Sequence, residues 1–149
     1  MTKKSEKIEK NFHANEKKMM PLFSRIQEAC DGLIYISETD APVTAFDGGV
    51  VEGDVGSGPI LQQIGREPNE SIREVGFAKF FVRLTTIKDW HGAREKARTK
   101  KFLDLQKLIE ENLVEPKVFK IGDIRIRIYA VGLDSEGRLM GIRTEAVET

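Results

Sequence analysis

The chain has 149 residues, 24 basic and 24 acidic side chains, 40% apolar residues and a single cysteine, Cys30. A chain of this length buries about two-thirds of its unfolded surface as one domain, and one cysteine excludes an internal disulfide. No apolar run approaches the roughly 18 residues of a membrane span, and the polar N-terminus lacks the apolar stretch of a secretory signal, so a soluble, cytoplasmic protein is expected.

The neutral total hides an asymmetry. Met1 to Phe23 holds six Lys against three Glu, whereas Ser24 to Thr149 holds 18 basic and 21 acidic residues. The expected organisation is therefore a basic leader over residues 1–23, helical or disordered, followed by a mildly acidic domain over residues 24–149. That sign argues against a general nucleic-acid binder.

Pro21 suits the start of a helix, and "LFSRIQEAC" follows with Leu22, Ile26, Ala29 and Cys30 at helical spacing; Gly32 is placed to close it. "LIYISE" is a β-branched and aromatic run that reads as a strand. Thr39 to Pro59 is rich in Gly, Asp and Pro, with room for a short strand around Val43 to Phe46. "PILQQIG" fits helix or strand. "SIREVG" reads as a strand and "FAKFFVRL" as a short helix with Phe77, Phe80, Phe81 and Leu84 on one side. The clearest helix spans about Ala93 to Leu113, where Phe102, Leu105, Leu108, Ile109 and Leu113 follow the 3.6-residue period and Pro116 is expected to stop it.

The last third reads as β: "KVFKIG", "DIRIRIYAVGLD" and "RLMGIRTEAVET". Ile124, Ile126, Ile128 and Ala130 alternate with Arg125, Arg127, Tyr129 and Val131, giving one buried and one mixed face. Asp134-Ser135-Glu136-Gly137 provides the hairpin turn. Helices first, a helix in the middle and an antiparallel sheet last predict an α+β sandwich. Met140, Ile142 and Ala146 are expected to hold the final strand, with Glu148 and Thr149 projecting beyond it. "EAVET" is then either the edge of a sheet or a working group.

Catalytic chemistry finds little support. His13 and His91 are the only histidines, and Cys30 lies among the apolar positions of the first helix, where it reads as a small hydrophobe. No paired Cys or His spacing suggests zinc, and Gly53, Gly56 and Gly58 lack the Lys-Ser/Thr of a phosphate-cradling loop. No enzyme, cofactor or metal of its own is expected. The basic run Arg94 to Lys101 reads as the solvated start of the long helix, with phosphate contact as the competing use. Positive charge there opposes the helix dipole. Asp89-Trp90 holds the only Trp, in a loop between two helices, as either a cap on the core or an interface anchor.

Taken together, "ACDGLIYISETDAP", "ILQQIG", "FFVRLTTIKDW", "FLDLQKLIEENLVEPKVFKIGDIRIRIYAVGLDSEGRLMGI" and the terminal "VET" resemble the nuclease A inhibitor family over about Ser24 to Thr149. Members of that family block non-specific, metal-dependent DNA/RNA nucleases. The resemblance implies a three-layer α/β/α sandwich akin to the pathogenesis-related type 1 fold, and a nuclease inhibitor rather than an enzyme. It assigns Glu38 to the acidic group that approaches the nuclease's catalytic metal and Thr149 to the terminal residue entering the active site. Asp89 and Trp90 match the acidic-aromatic pair of the interface hot spot. The implied partner is a nuclease; direct nucleic-acid binding and membrane attachment are not implied. The chain departs from the family pattern directly after Asp89-Trp90, where "HGAREKARTKK" stands in place of acidic residues, and in the polar loop "DGGVVEGDVGSG". Those departures keep open an alternative, an interaction module on the same fold with a non-nuclease partner.

Overall fold

The computed structural model describes residues 20–51, 64 and 70–149. Most of the basic leader with His13, the loop glycines Gly53, Gly56 and Gly58, and all of "PILQQIG" except Ile64 lie outside the described residues. In chain order the elements are α1 (Leu22–Cys30), β1 (Ile34–Ile36), β2 (Asp40–Pro42), β3 (Thr44–Val50), β4 (Ile72–Val75), α2 (Phe77–Leu84), α3 (Ala93–Asn112), β5 (Val114–Ile121), β6 (Arg125–Leu133) and β7 (Arg138–Val147). Five strands form an antiparallel sheet in the order β3-β7-β6-β5-β4, and β1 and β2 form a separate hairpin. The class is α+β.

Local chemistry explains most boundaries. α1 follows Pro21, and after Asp31 the chain turns at Gly32, whose φ of 70° is costly for a residue with a Cβ. Lys101 Nζ on α3 donates to the Asp31 carbonyl at 2.8 Å, which serves an unpaired group at the end of α1 and ties the two helices together. α3 begins after Gly92, whose N–H donates to Glu95 Oε2 at 3.0 Å. Glu95 also places a negative charge in the first turn, offsetting part of the unfavourable basic run that follows.

The strand alternation separates two apolar clusters. Ile126, Ile128 and Ala130 of β6, with Met140, Ile142 and Ala146 of β7, meet Ile26 of α1, Phe81 of α2 and Phe102, Leu105 and Ile109 of α3. On the other face Phe119, Ile121, Tyr129, Val131 and Leu139 form a second cluster with Ile64. The face expected to be mixed is thus apolar at Tyr129 and Val131, and polar toward Arg125 and Arg127.

Three expectations need correction. α3 ends at Asn112, before Pro116, which lies inside β5. Proline is tolerated there because the β5–β6 register shifts between Val114 and Lys117, a bulge where Glu115 takes φ 45°. Ile124 is not on the buried face: it precedes β6 and is 58% exposed. The strand expected at Val43 to Phe46 runs instead from Thr44 to Val50, preceded by β2, which the Gly/Pro-rich composition concealed.

Candidate partner-binding site

The β1–β2 hairpin turns tightly at Ser37–Thr39, with the Ser37 N–H donating to the Thr39 carbonyl at 3.0 Å. The Ser37 hydroxyl donates to the same carbonyl at 2.9 Å and accepts the Val147 N–H at 3.1 Å. The Glu38 N–H reaches the Val147 carbonyl at 3.4 Å. This turn therefore lies against the last residues of β7, and the Thr149 hydroxyl donates to Glu38 Oε1 at 2.5 Å. Glu38 and Thr149 are both exposed. Two of the four site residues read from the sequence thus meet in one place.

Glu148 behaves differently from the expectation that it projects beyond the sheet. Its N–H donates to the Ile124 carbonyl at 3.0 Å, and its carboxylate folds back to Lys120 Nζ at 3.0 Å and Arg73 at 3.4 Å. Partial burial alone would raise the Glu148 carboxyl. The hydrogen bond and charge of Lys120, followed by those of Arg73, outweigh burial and hold it below the ordinary carboxylate value. Glu148 thus ties the residues after β7 to β4 and β5, whereas Thr149 is exposed.

Asp89 and Trp90 occupy the centre of a turn between α2 and α3. The His91 N–H donates to the Lys88 carbonyl at 3.0 Å, and the Lys88 N–H donates to His91 Nδ1 at 3.0 Å. The imidazole thus closes the turn and stands edge-on to the Trp90 indole, with ring centroids 4.3 Å apart. Trp90 is 73% exposed, which rules out a cap buried in the core. Asp89 is exposed and, among the described residues, engages no hydrogen bond or ion pair.

A groove of about 370 Å³ runs from this turn to β1, with Ile36, Leu84, Trp90 and Phe102 among its walls. Ile36 is 48% exposed and stands two residues before Glu38. It links the Trp90 groove to the hairpin that carries Glu38. The exposure of Ile36 has no signal in the continuous apolar run Leu33 to Ile36, and Ile124 reads as part of the buried face because it continues the alternation of β6. For Ile124 the signal was Gly122-Asp123, a turn dipeptide directly before it. Cys30 is buried, and desolvation pushes its thiol up to about 12, which removes it from nucleophilic chemistry. Among the described residues no group of three or more His, Cys, Asp or Glu side chains is arranged to hold a metal. Nor, among them, is any helix long and apolar enough to cross a membrane.

The α+β domain thus carries, at its surface, an acidic–hydroxyl pair at Glu38 and Thr149 and an exposed acidic–aromatic turn at Asp89 and Trp90. The family described as nuclease A inhibitor-like protein matches residues 20–149. The chain belongs to that family. No curated protein matches the sequence.

Proposed function

We propose that the protein is an inhibitor that binds a sugar-non-specific, metal-dependent nuclease and fills its active site. Membership of an inhibitor family supports the role, and the Glu38–Thr149 pair carries the mechanism. These side chains lie 111 positions apart in sequence, yet share a hydrogen bond at one exposed point. A nuclease site holds a hard divalent cation that prefers oxygen ligands, and basic groups that await a phosphate. Glu38 offers a carboxylate whose Oε1 is oriented by Thr149, and the pair brings oxygens and negative charge without a scissile bond. Glu38 approaches the nuclease's metal and Thr149 enters beside it, so that together they imitate a phosphodiester. The metal belongs to the partner.

Asp89 and Trp90 form the second anchor in this reading. Asp89 forms no ion pair among the described residues and meets a basic residue of the partner, while Trp90 supplies apolar area beside it. A standard interface of roughly 1,600 Å² would cover both anchors and the exposed Ile36 between them. The inhibitory unit is residues 24–149 behind the basic leader of residues 1–23, although α1 already begins at Leu22. The three-layer sandwich belongs to the same proposal, supported by Ile64 packing on the face of the sheet opposite α1, α2 and α3. A lone reduced thiol, Cys30, fits a cytoplasmic site of action.

Titration into a sugar-non-specific, metal-dependent nuclease from the same source tests the role. DNA cleavage falls to zero near one inhibitor per enzyme if the proposal holds, and undiminished cleavage at large excess rejects it. The alternative, a non-nuclease partner for the same surface, is favoured by one observation: Arg98, in the basic run that departs from the family pattern, lines the groove beside Trp90.

A further inference from the structure

The groove between β1, the C-terminal end of α2 and the first turns of α3 has a chemical character that the metal-directed pair does not account for. Its apolar walls include Phe102, which is 2% exposed at the floor, and Trp90 and Ile36, which stand open at the rim. Arg83 and Arg98 flank these walls from two different helices. Among the described residues neither arginine forms an ion pair. Among the described lining residues the acidic one is Glu95, whose carboxylate accepts the Gly92 N–H at the start of its own helix and is also stabilised by the charge of Arg98, so it offsets part of one arginine and none of Arg83. Arg94, Lys96 and Lys100 on the exposed side of α3 extend the positive sign. Lys101 does not, being engaged with Asp31.

We infer that this groove is a docking site for an acidic, apolar segment of the partner: one aliphatic or aromatic side chain seated against Trp90 and Phe102, flanked by carboxylates that meet Arg83 and Arg98. The volume suits one or two side chains rather than a whole helix. Two guanidiniums that form no ion pair among the described residues, only one of them partly offset by the Glu95 carboxylate, stand beside an apolar floor, are complementary to that pattern and repel a basic one. The chain's own residues 1–19, with six Lys and three Glu, carry the wrong sign to fill it. A nucleic-acid backbone is a poorer fit, because it offers charge without an apolar side chain for the floor. The inference rests on the interface reading of Trp90 given above and deepens it: beside the basic residue that meets Asp89, the groove selects an acidic, apolar segment of the same partner.

Trp90 is the only tryptophan, so its emission reports on the groove in the full-length protein. The probes are a synthetic peptide of Asp and Glu around a central Leu-Phe, the same peptide with Lys for the acids, the same acidic peptide with Ser for Leu-Phe, and a single-stranded DNA oligonucleotide. The acidic Leu-Phe peptide shifts Trp90 emission to the blue in a saturable titration, about tenfold or more tighter than any other probe. Arg83→Glu with Arg98→Glu removes that binding and turns the preference toward the Lys peptide. Arg83→Glu alone, at an exposed position, gives a smaller change of the same sign should the double variant fail to fold. Equal binding of the Lys peptide, equal or tighter binding of DNA, or unchanged emission with every probe overturns the inference. Nuclease inhibition is read separately: an inhibitor that ignores the peptide sinks this inference alone, and a peptide binder that inhibits no nuclease sinks the proposed function alone.

Discussion

Replacing Trp90 by alanine separates an interface anchor from a structural residue, and its exposure sets the size of both effects. An aromatic side chain buries about 150–250 Å² when fully covered. With 73% of Trp90 open in the free protein, a partner stands to cover about 110–180 Å² more, worth at most roughly 3–5 kcal/mol at about 25 cal/mol per Å². The covered quarter contributes only about 1 kcal/mol to the fold by the same conversion, and extended-chain areas overstate it. Trp90→Ala should therefore weaken partner binding by more than about 2 kcal/mol, roughly 30-fold in Kd. The melting temperature should fall by no more than about 4 °C. Binding is measured by calorimetry against the inhibited nuclease, and stability by circular dichroism. A large drop in melting temperature with unchanged Kd would refute the assignment of Trp90 to the interface.

Other perturbations test the remaining elements. Glu38→Gln keeps an acceptor for the Thr149 hydroxyl but removes the charge, so inhibition should fall by about tenfold or more while the urea midpoint stays put; unchanged potency removes Glu38 from the site. Thr149→Ala should impair inhibition less than Glu38→Gln, because it takes away a hydroxyl rather than a charge, and the reverse order in a matched nuclease assay would contradict the roles assigned to the pair. Glu148 has a folded value below its unfolded one, so its contribution is fully present above the unfolded carboxylate value and is lost as pH falls through the folded one. Urea unfolding between neutral and acidic pH should accordingly show a flatter acid limb for Glu148→Gln, and an unaltered limb would mean the ion pairs with Lys120 and Arg73 add nothing. Cys30 should resist a thiol reagent at mildly alkaline pH in the native protein and react fully in denaturant, since burial has pushed its thiol to about 12; rapid native labelling would show that α1 opens.

What was legible in the sequence was whatever a local period or a single turn residue encodes. Phe102, Leu105 and Ile109 repeat along one helical face and are all buried, and Gly137 takes the positive φ of 77° that its place in the hairpin demanded. Pro116 misled because a proline's effect depends on whether its N–H is wanted, and the bulge in β5 is visible only once β6 lies alongside it. Ile124 misled because the alternation of β6 extends one residue past the turn at Gly122, where φ reaches 109°. The fate of Glu148 depends on the positions of Lys120 and Arg73, paired with each other across β5 and β4, which no reading of its neighbours supplies. Glu38 and Thr149 were singled out only through the family resemblance. Their contact arises because the Ser37 hydroxyl joins the hairpin turn to Val147, a tertiary hydrogen bond with no local signature. The Trp90 groove was illegible for the same reason: Ile36, Arg83 and Arg98 come from three elements and become neighbours only by packing.

The claim that Glu38 meets the partner's metal is tested most directly by comparing affinities with and without that metal. Calorimetric titrations of wild-type protein and Glu38→Gln against the inhibited nuclease, each with the divalent cation present and then removed by chelation, supply the four Kd values. Removing the metal should weaken wild-type binding by about tenfold or more and leave Glu38→Gln nearly unaffected, because the two changes delete the same interaction. Equal losses in both proteins, or no loss in either, would contradict a plug built on Glu38.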